Sequence, residues 1–156
     1  MDAATLPLRW QAKSNVLLGL LRLMAAFLFI QYGTSKLFAL PGPMMPGAGP
    51  ADPMSLTGVA GMLEVIGGGL LFLGLFTRPV AFILSGEMAF AYFMGHAPQG
   101  FWPVLNQGTP AILFCFLFLY FSAAGPGAFA LSNLFHSWNA TRVDGFGAHH
   151  EPLHSR

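Results

Sequence analysis

Four ionisable side chains lie inside long apolar stretches of this sequence, and they are the groups most able to do chemistry. Arg22 and Lys36 share the stretch VLLGLLRLMAAFLFIQYGTSKLFAL (residues 16–40), while Glu64 and Glu87 are each the single acid of another apolar segment. A guanidinium at the centre of a bilayer costs about 2.5 kcal/mol or more unless it finds a partner or a wet cavity. The sequence therefore predicts that Arg22 meets Glu64 or Glu87 in a buried polar cluster.

Two interpretations of this predicted cluster remain open from the residues alone. It could be a structural ion cluster that fixes the register of the helices. It could also line a polar pocket for a quinone, a proton or a small substrate, because charges within a membrane usually mark pathways or sites. Two acids with one arginine would supply both a protonated and an ionised carboxyl, which suits a proton relay.

The composition favours lipid as the surroundings of this chain. Of its 156 residues, 54% are hydrophobic and only 8% are charged, compared with about 25% charged residues in ordinary soluble domains. A net charge of +1 leaves no basic patch to neutralise phosphates, which argues against a nucleic-acid partner. The predicted partner is the lipid bilayer.

The pattern of apolar runs and breakers predicts an all-α integral membrane four-helix bundle. A spanning helix needs about 20 mostly apolar residues, and the proline- and glycine-rich stretch 41–53 ends the first run. Ser55 is a candidate N-cap for the second helix. The prediction is a cytoplasmic amphipathic lead-in over 1–14, a membrane domain over 15–138 and a mobile cytoplasmic tail over 139–156, with spans at about 16–40, 55–76, 79–95 and 109–124.

The basic residues predict the orientation of the bundle. Arg9 and Lys13 precede the first span, Arg78 joins the second and third spans, and Arg142 and Arg156 follow the fourth. The two remaining loops contain no lysine or arginine. The positive-inside rule then predicts that both termini are cytoplasmic.

Helical spacing groups the polar and small residues on particular faces. On one face of the first helix, residues follow one another at alternating spacings of four and three: Arg22, Ala26, Phe29, Gly33 and Lys36. One face of the second helix combines small residues with an acid: Gly61, Glu64 and Gly68. Small residues let membrane helices approach closely, so these faces are predicted to pack. Lys36 would lie near the external loops, with Tyr32 and Asn106 at the same external mouth.

No metal site is predicted. Met44, Met45 and Met54 in the first loop offer soft thioether ligands for copper(I) but lack regular spacing. The tail histidines have no supporting scaffold, and no histidine lies mid-span to hold haem. Cys115 is the single cysteine, which excludes a disulfide within the chain and makes it a buried or lipid-facing apolar residue.

Several segments, in order, resemble the DoxX family over about residues 16–132. The first helix reads LLRLMAAFLFIQYGTSKL, with an arginine opening the span and G-x-x-K-L closing it, and the later segments read AGMLEVIGGGLLFLGLFTRPVA (60–81), LSGEMAFAYF (84–93), FWPVLNQG (101–108) and AAGPGAFAL (123–131). Two acids typical of the family are absent. At the start of the fourth helix, where members often have N-G-G-E, this chain reads NQGT (106–109), so Thr109 replaces the acid. After the G-P-G turn, where S-L-D is frequent, it reads ALS (130–132), so Ser132 replaces the acid.

The resemblance implies a small four-helix protein of the bacterial inner membrane. Some relatives are quinone-linked subunits of thiosulfate oxidation, and others associate with redox partners in oxidative-stress defence. It therefore implies a redox-associated subunit of a quinone-linked oxidoreductase, with quinone as cofactor and a soluble or membrane redox partner. Positions that match the family's polar residues are Arg22, Lys36, Glu64, Glu87 and Asn106.

Two other functions remain as alternatives. A non-enzymatic scaffold that recruits a soluble redox partner is favoured by the lone Cys115 and by the missing acid at the start of the fourth helix. A transporter of protons or small solutes is the third class. Four spans are few for a transporter, but a homo-oligomer joined by small-residue faces would supply more.

Overall fold

The computed structural model describes residues 5–43, 47 and 49–133, with side chains from residue 10 onward. All regular structure in these ranges is helical, which confirms the all-α fold. Four main helices follow one another, with a π-helical turn and a 3₁₀ turn between the last two: α1 (Thr5–Phe38), α2 (Leu56–Leu73), α3 (Thr77–Ala91), the π turn (Tyr92–His96), the 3₁₀ turn (Ala97–Gln99) and α4 (Thr109–Ala124).

The helix bounds follow the predicted spans closely at three of the four helices, and the first helix differs. The lead-in predicted over 1–14 is, from Thr5 onward, the beginning of one 34-residue helix. Ser55 is confirmed as the N-cap of α2, since its hydroxyl accepts a hydrogen bond from the Gly58 N–H at 3.0 Å. The predicted tail (139–156) and the end of the predicted membrane domain (134–138) lie outside the described residues.

Three segments are long and apolar enough to cross a membrane, namely Trp10–Phe38, Leu56–Leu73 and Thr77–Gln99, and α4 is a shorter apolar helix. Large apolar side chains also cover the outside of the bundle, with Ile66, Phe82 and Phe116 each about two-thirds exposed. A water-soluble monomer rarely exposes so much contiguous apolar surface. The protein is therefore a membrane protein whose outer surface faces lipid.

The most extensive helix contacts are those of α1 with α2 and of α3 with α4. Both pairs are antiparallel, since the end of α1 meets the first half of α2 at Lys36 and Glu64, and the start of α3 meets the end of α4 at Arg78. Small residues allow the close approach of α1 and α2, because a Cβ atom at Gly33 would lie only 2.8 Å from the Gly61 carbonyl oxygen. In the second pair, the Ser85 hydroxyl donates to the Cys115 carbonyl at 2.8 Å. The bundle thus has a long-loop end, formed by the described parts of the first loop (39–43, 47 and 49–55) and by segment 97–108, and a short-turn end, formed by residues 74–76 and 125–129.

Arg22 closes the short-turn end. Its guanidinium is fully buried, and all five of its N–H groups donate to backbone carbonyls: Nε to Pro126 at 2.8 Å, Nη1 to Leu71 and, at 2.8 Å, to Phe72, and Nη2 to Ala128 at 3.2 Å and Phe129 at 3.0 Å. The prediction that Arg22 pairs with Glu64 or Glu87 is wrong. The last carbonyls of a helix lack intrahelical partners and carry its negative dipole end, so they compensate the cation without a carboxylate.

Arg78 plays a similar but exposed role at the end of α4. Its Nη1 donates to the carbonyl of Ala123 at 2.5 Å and, more weakly, to that of Ser122 at 3.4 Å. Two arginines therefore bind the C-terminal carbonyls of two different helices at the same end of the bundle. Of the two arginines, Arg22 is buried and Arg78 is exposed. Removing Arg22 would therefore leave backbone carbonyls without any partner, whereas water can replace Arg78.

The contrast between the two arginines gives a prediction about stability. The substitution Arg22→Lys keeps the charge but offers three donors from one nitrogen, which cannot reach five carbonyls. We expect it to lower the free energy of unfolding by about 3 kcal/mol or more, measured by denaturant titration of the purified protein in detergent. The matched Arg78→Lys should cost under about 1 kcal/mol, and equal losses in the two variants would contradict this account of Arg22.

Candidate functional site

A cavity of about 450 Å³ lies between the helices near the long-loop end, a volume typical of small-molecule sites. We call it the polar chamber. Every main helix contributes to its wall, and the π turn and the second loop complete it; the residues that bear most on its chemistry are Phe29, Tyr32, Lys36, Glu64, Met88, His96, Gln107 and Phe114. The chamber therefore combines aromatic faces with several polar groups.

An ion pair between α1 and α2 forms part of the chamber wall. Lys36 Nζ lies 2.5 Å from Glu64 Oε1, and the two side chains are only 15% and 2% exposed. The pair meets because Gly33, one turn before Lys36, lets α1 approach α2 beside Glu64. The cation that joins Glu64 is thus Lys36.

The carboxyl oxygens of this region are only partly satisfied. In the part of the chain that the structure describes, Glu64 Oε2 and both carboxyl oxygens of Glu87 are buried without a hydrogen-bond partner. Glu87 also lies within electrostatic range of Glu64 and Lys36. One ammonium cannot compensate two carboxylates in an apolar interior, so the second carboxyl needs a proton or a donor from another molecule.

His96 is held at the chamber by the loop behind it. Its Nδ1 lies 2.9 Å from the backbone carbonyl oxygen of Asn106, and because a carbonyl only accepts, Nδ1 must carry the proton. In the neutral ring Nε2 is then an acceptor. Residues 92–96 form a π-helical turn, a local structure that is frequent at functional sites.

Asn106 fixes the conformation of the second loop. Its side chain donates to the Gly100 carbonyl at 2.7 Å and accepts from the Gly108 N–H at 2.8 Å, and it is 3% exposed. It therefore stands behind His96 as a residue that shapes the loop, while the neighbouring Gln107 lines the chamber.

The structure brings together some of the predicted site residues and separates others. Lys36 and Tyr32, predicted at the external mouth, line the same chamber as Glu64, whereas Arg22 lies at the opposite end of the bundle. The sequence pattern did not single out the pairing of Lys36 with Glu64. The sequence nevertheless contained a sign of this pairing, since Gly33 and Gly61 allow the two helices to approach closely beside Lys36 and Glu64.

Metal ligands do not cluster in the described part of the chain, where no group of three or more His, Cys, Asp or Glu side chains could hold an ion. Met54 is largely exposed, while Met44, Met45 and the tail histidines lie outside the described residues. Cys115 is a free, half-buried thiol beside Ser85.

Comparison with known proteins finds relatives of this sequence. The family model described as DoxX matches residues 17–97, which include all of α2 and α3, the π turn and most of α1. A protein of Haemophilus influenzae, described as an uncharacterized protein, is 51% identical over 122 residues, covering 76% of this chain and 90% of the relative. No solved structure matches the chain.

The ion pair gives a second prediction about stability. Removing either partner, by Lys36→Met or Glu64→Leu, leaves a buried charge without its counter-ion and should cost about 3–5 kcal/mol of unfolding free energy. The double variant should cost clearly less than the sum, with a coupling of about 1–3 kcal/mol, measured by denaturant titration in detergent. As a control, Lys36→Met combined with Asp52→Asn, an exposed change, should be additive; additivity of Lys36→Met with Glu64→Leu would contradict the pair.

Proposed function

This chain belongs to the DoxX family, and on that premise we propose that it is a quinone-linked redox subunit of the bacterial inner membrane whose polar chamber holds the quinone head group. The observation that supports the proposal most is the chamber itself. It combines an ion pair, an unsatisfied carboxyl oxygen and aromatic faces within a membrane bundle.

The chamber residues suit the two redox forms of a quinone. A quinone has carbonyl oxygens that accept hydrogen bonds, and Lys36 Nζ and the Tyr32 hydroxyl are donors at the wall. The reduced form has hydroxyls that donate, and Glu64 Oε2 is an acceptor without a protein partner. Phe29 and Phe114, whose ring centroids are 5.2 Å apart, offer apolar faces for a flat ring.

The carboxyl groups would handle protons. Reduction of a bound quinone consumes two electrons and two protons. Glu64 lines the chamber and lies close enough to Glu87 for the two to influence each other electrostatically, which supports Glu64 as the group that exchanges a proton with the ring and Glu87 as a second carboxyl nearby. The electrons would come from a separate redox protein, soluble or membrane-bound.

The charged groups also support an orientation in the membrane. Lys13, Arg22 and Arg78 lie at or near the short-turn end, and the described parts of the two long loops contain no lysine or arginine. By the positive-inside rule we propose that the short-turn end faces the cytoplasm, with four spans and both termini on that side. The polar chamber would then open towards the outside of the inner membrane.

This orientation predicts which surface positions a membrane-impermeant maleimide can label. In a Cys115→Ser background, Val104→Cys at the exposed long-loop end should be labelled in intact spheroplasts. Ala124→Cys, exposed at the short-turn end, should be labelled only after the membrane is opened. The reverse pattern would show that the bundle has the opposite orientation.

Quinone binding is tested with variants that keep the shape of the chamber. Wild-type protein in lipid nanodiscs should bind both a benzoquinone and its hydroquinone. Tyr32→Phe, which loses a donor, should raise the dissociation constant of the oxidised form about tenfold, and Glu64→Gln, which loses the carboxylate acceptor, should raise that of the reduced form about tenfold, the equivalent of one hydrogen bond. Tyr120→Phe, an exposed tyrosine on α4 near the short-turn end, is the matched control and should change neither constant. If the wild type binds no quinone, or all variants bind equally, the scaffold that recruits a redox partner becomes the better function.

A further inference from the structure

A long apolar groove lies between α1 and α4 on the outside of the bundle. Its volume is about 730 Å³. On α1 its wall runs from Leu21 to Ser35, a separation of fourteen positions or about 21 Å along the helix. Apolar side chains predominate, among them Met24 and Leu28 on α1 and Leu113 on α4, and these three are each about half or more exposed.

Aromatic side chains keep this groove open. α1 and α4 are joined through ring contacts, with the centroid of Phe29 4.7 Å from that of Phe118 and 5.2 Å from that of Phe114. Phe118 is fully buried and Phe29 almost so, so these rings space the two helices from within. The groove on the lipid-facing side therefore stays unfilled by side chains of either helix.

The groove and the polar chamber share part of their walls. Tyr32, Thr109, Pro110 and Phe114 line both cavities. The rings of Tyr32 and Phe114 meet edge to face with centroids 5.9 Å apart, so these two side chains stand where the polar chamber adjoins the apolar groove. A molecule with a polar ring and a long apolar tail matches this division.

We propose that the α1–α4 groove holds the long apolar tail of the molecule whose head group occupies the polar chamber. The inference rests on the proposed function and deepens it, since it makes the ligand a lipid-tailed quinone that enters sideways from the bilayer. The tail exchanges lipid contacts for groove contacts with little change in hydration. Its contribution is therefore to place the head group at the chamber, and a side chain that fills the groove would weaken binding of the tailed molecule by overlapping its tail.

The test compares two probes and two matched pairs of variants in nanodiscs. The probes are dimethoxy-methyl-benzoquinone and its decyl derivative, and the readout is the dissociation constant of each. Leu28→Trp fills the groove without touching the chamber, and Leu20→Trp, at similar exposure on α1 but outside both cavities, is its control. Leu113→Trp and its α4 control Phe116→Trp, also about equally exposed, repeat the comparison.

The expected result is that the groove variants raise the dissociation constant of the decyl probe about tenfold. This factor corresponds to the lower end of the free-energy cost of overpacking a filled site. The groove variants should leave the dissociation constant of the tail-less probe unchanged, and the control variants should change the dissociation constant of neither probe. If the groove variants affect both probes equally or neither, the inference is overturned while quinone binding stands, and the groove holds ordinary lipid chains. If a groove variant instead alters the oligomeric state with no change in the ratio of affinities, the groove is a contact between copies and the inference is also overturned.

A failure of the proposed function gives a different result. Neither probe would then bind the wild-type protein, and the inference would fall with it. Binding of the tail-less probe to wild type and to all four variants therefore separates the two questions.

Discussion

Lipid offers no partner to the buried polar groups of this bundle, so each must be satisfied by the protein or by a bound molecule, or remain at a cost. Arg22 shows how far this constraint reaches. Its five N–H groups are matched by five backbone carbonyls from the end of α2 and from residues 126–129, so one side chain joins three parts of the chain. The short-turn end is thereby closed without a carboxylate, and the acids remain available elsewhere.

The two cations of α1 divide the bundle into a structural end and a candidate functional end. Arg22 and Lys36 lie on one face of the helix, fourteen residues or about 21 Å apart. Arg22 is fully satisfied by protein groups, whereas the acid that Lys36 contacts keeps one oxygen without a partner. An unsatisfied buried group is costly, and the free Glu64 oxygen at the polar chamber is the feature that a bound molecule would explain.

Helix spacing determines where cavities can exist. Glycines bring α1 and α2 together, so their interface has room for the ion pair but for little else. Phenylalanine rings hold α1 and α4 apart, and both the chamber and the apolar groove adjoin that wider interface. Close packing on one side and aromatic spacers on the other thus produce a rigid helix pair beside an accessible space.

The sequence by itself determined the fold class, the approximate bounds of three of the four main helices, the Ser55 cap and the family, because these depend on local patterns of apolar, small and breaker residues. It also identified the packing faces of α1 and α2, on which Gly61, Glu64 and Gly68 are indeed buried. Only the tertiary structure decided which cation meets which acid. That choice depends on the register between helices and on backbone carbonyls, which have no letter in the sequence, and for this reason the partners of Arg22 could not be predicted from residue types.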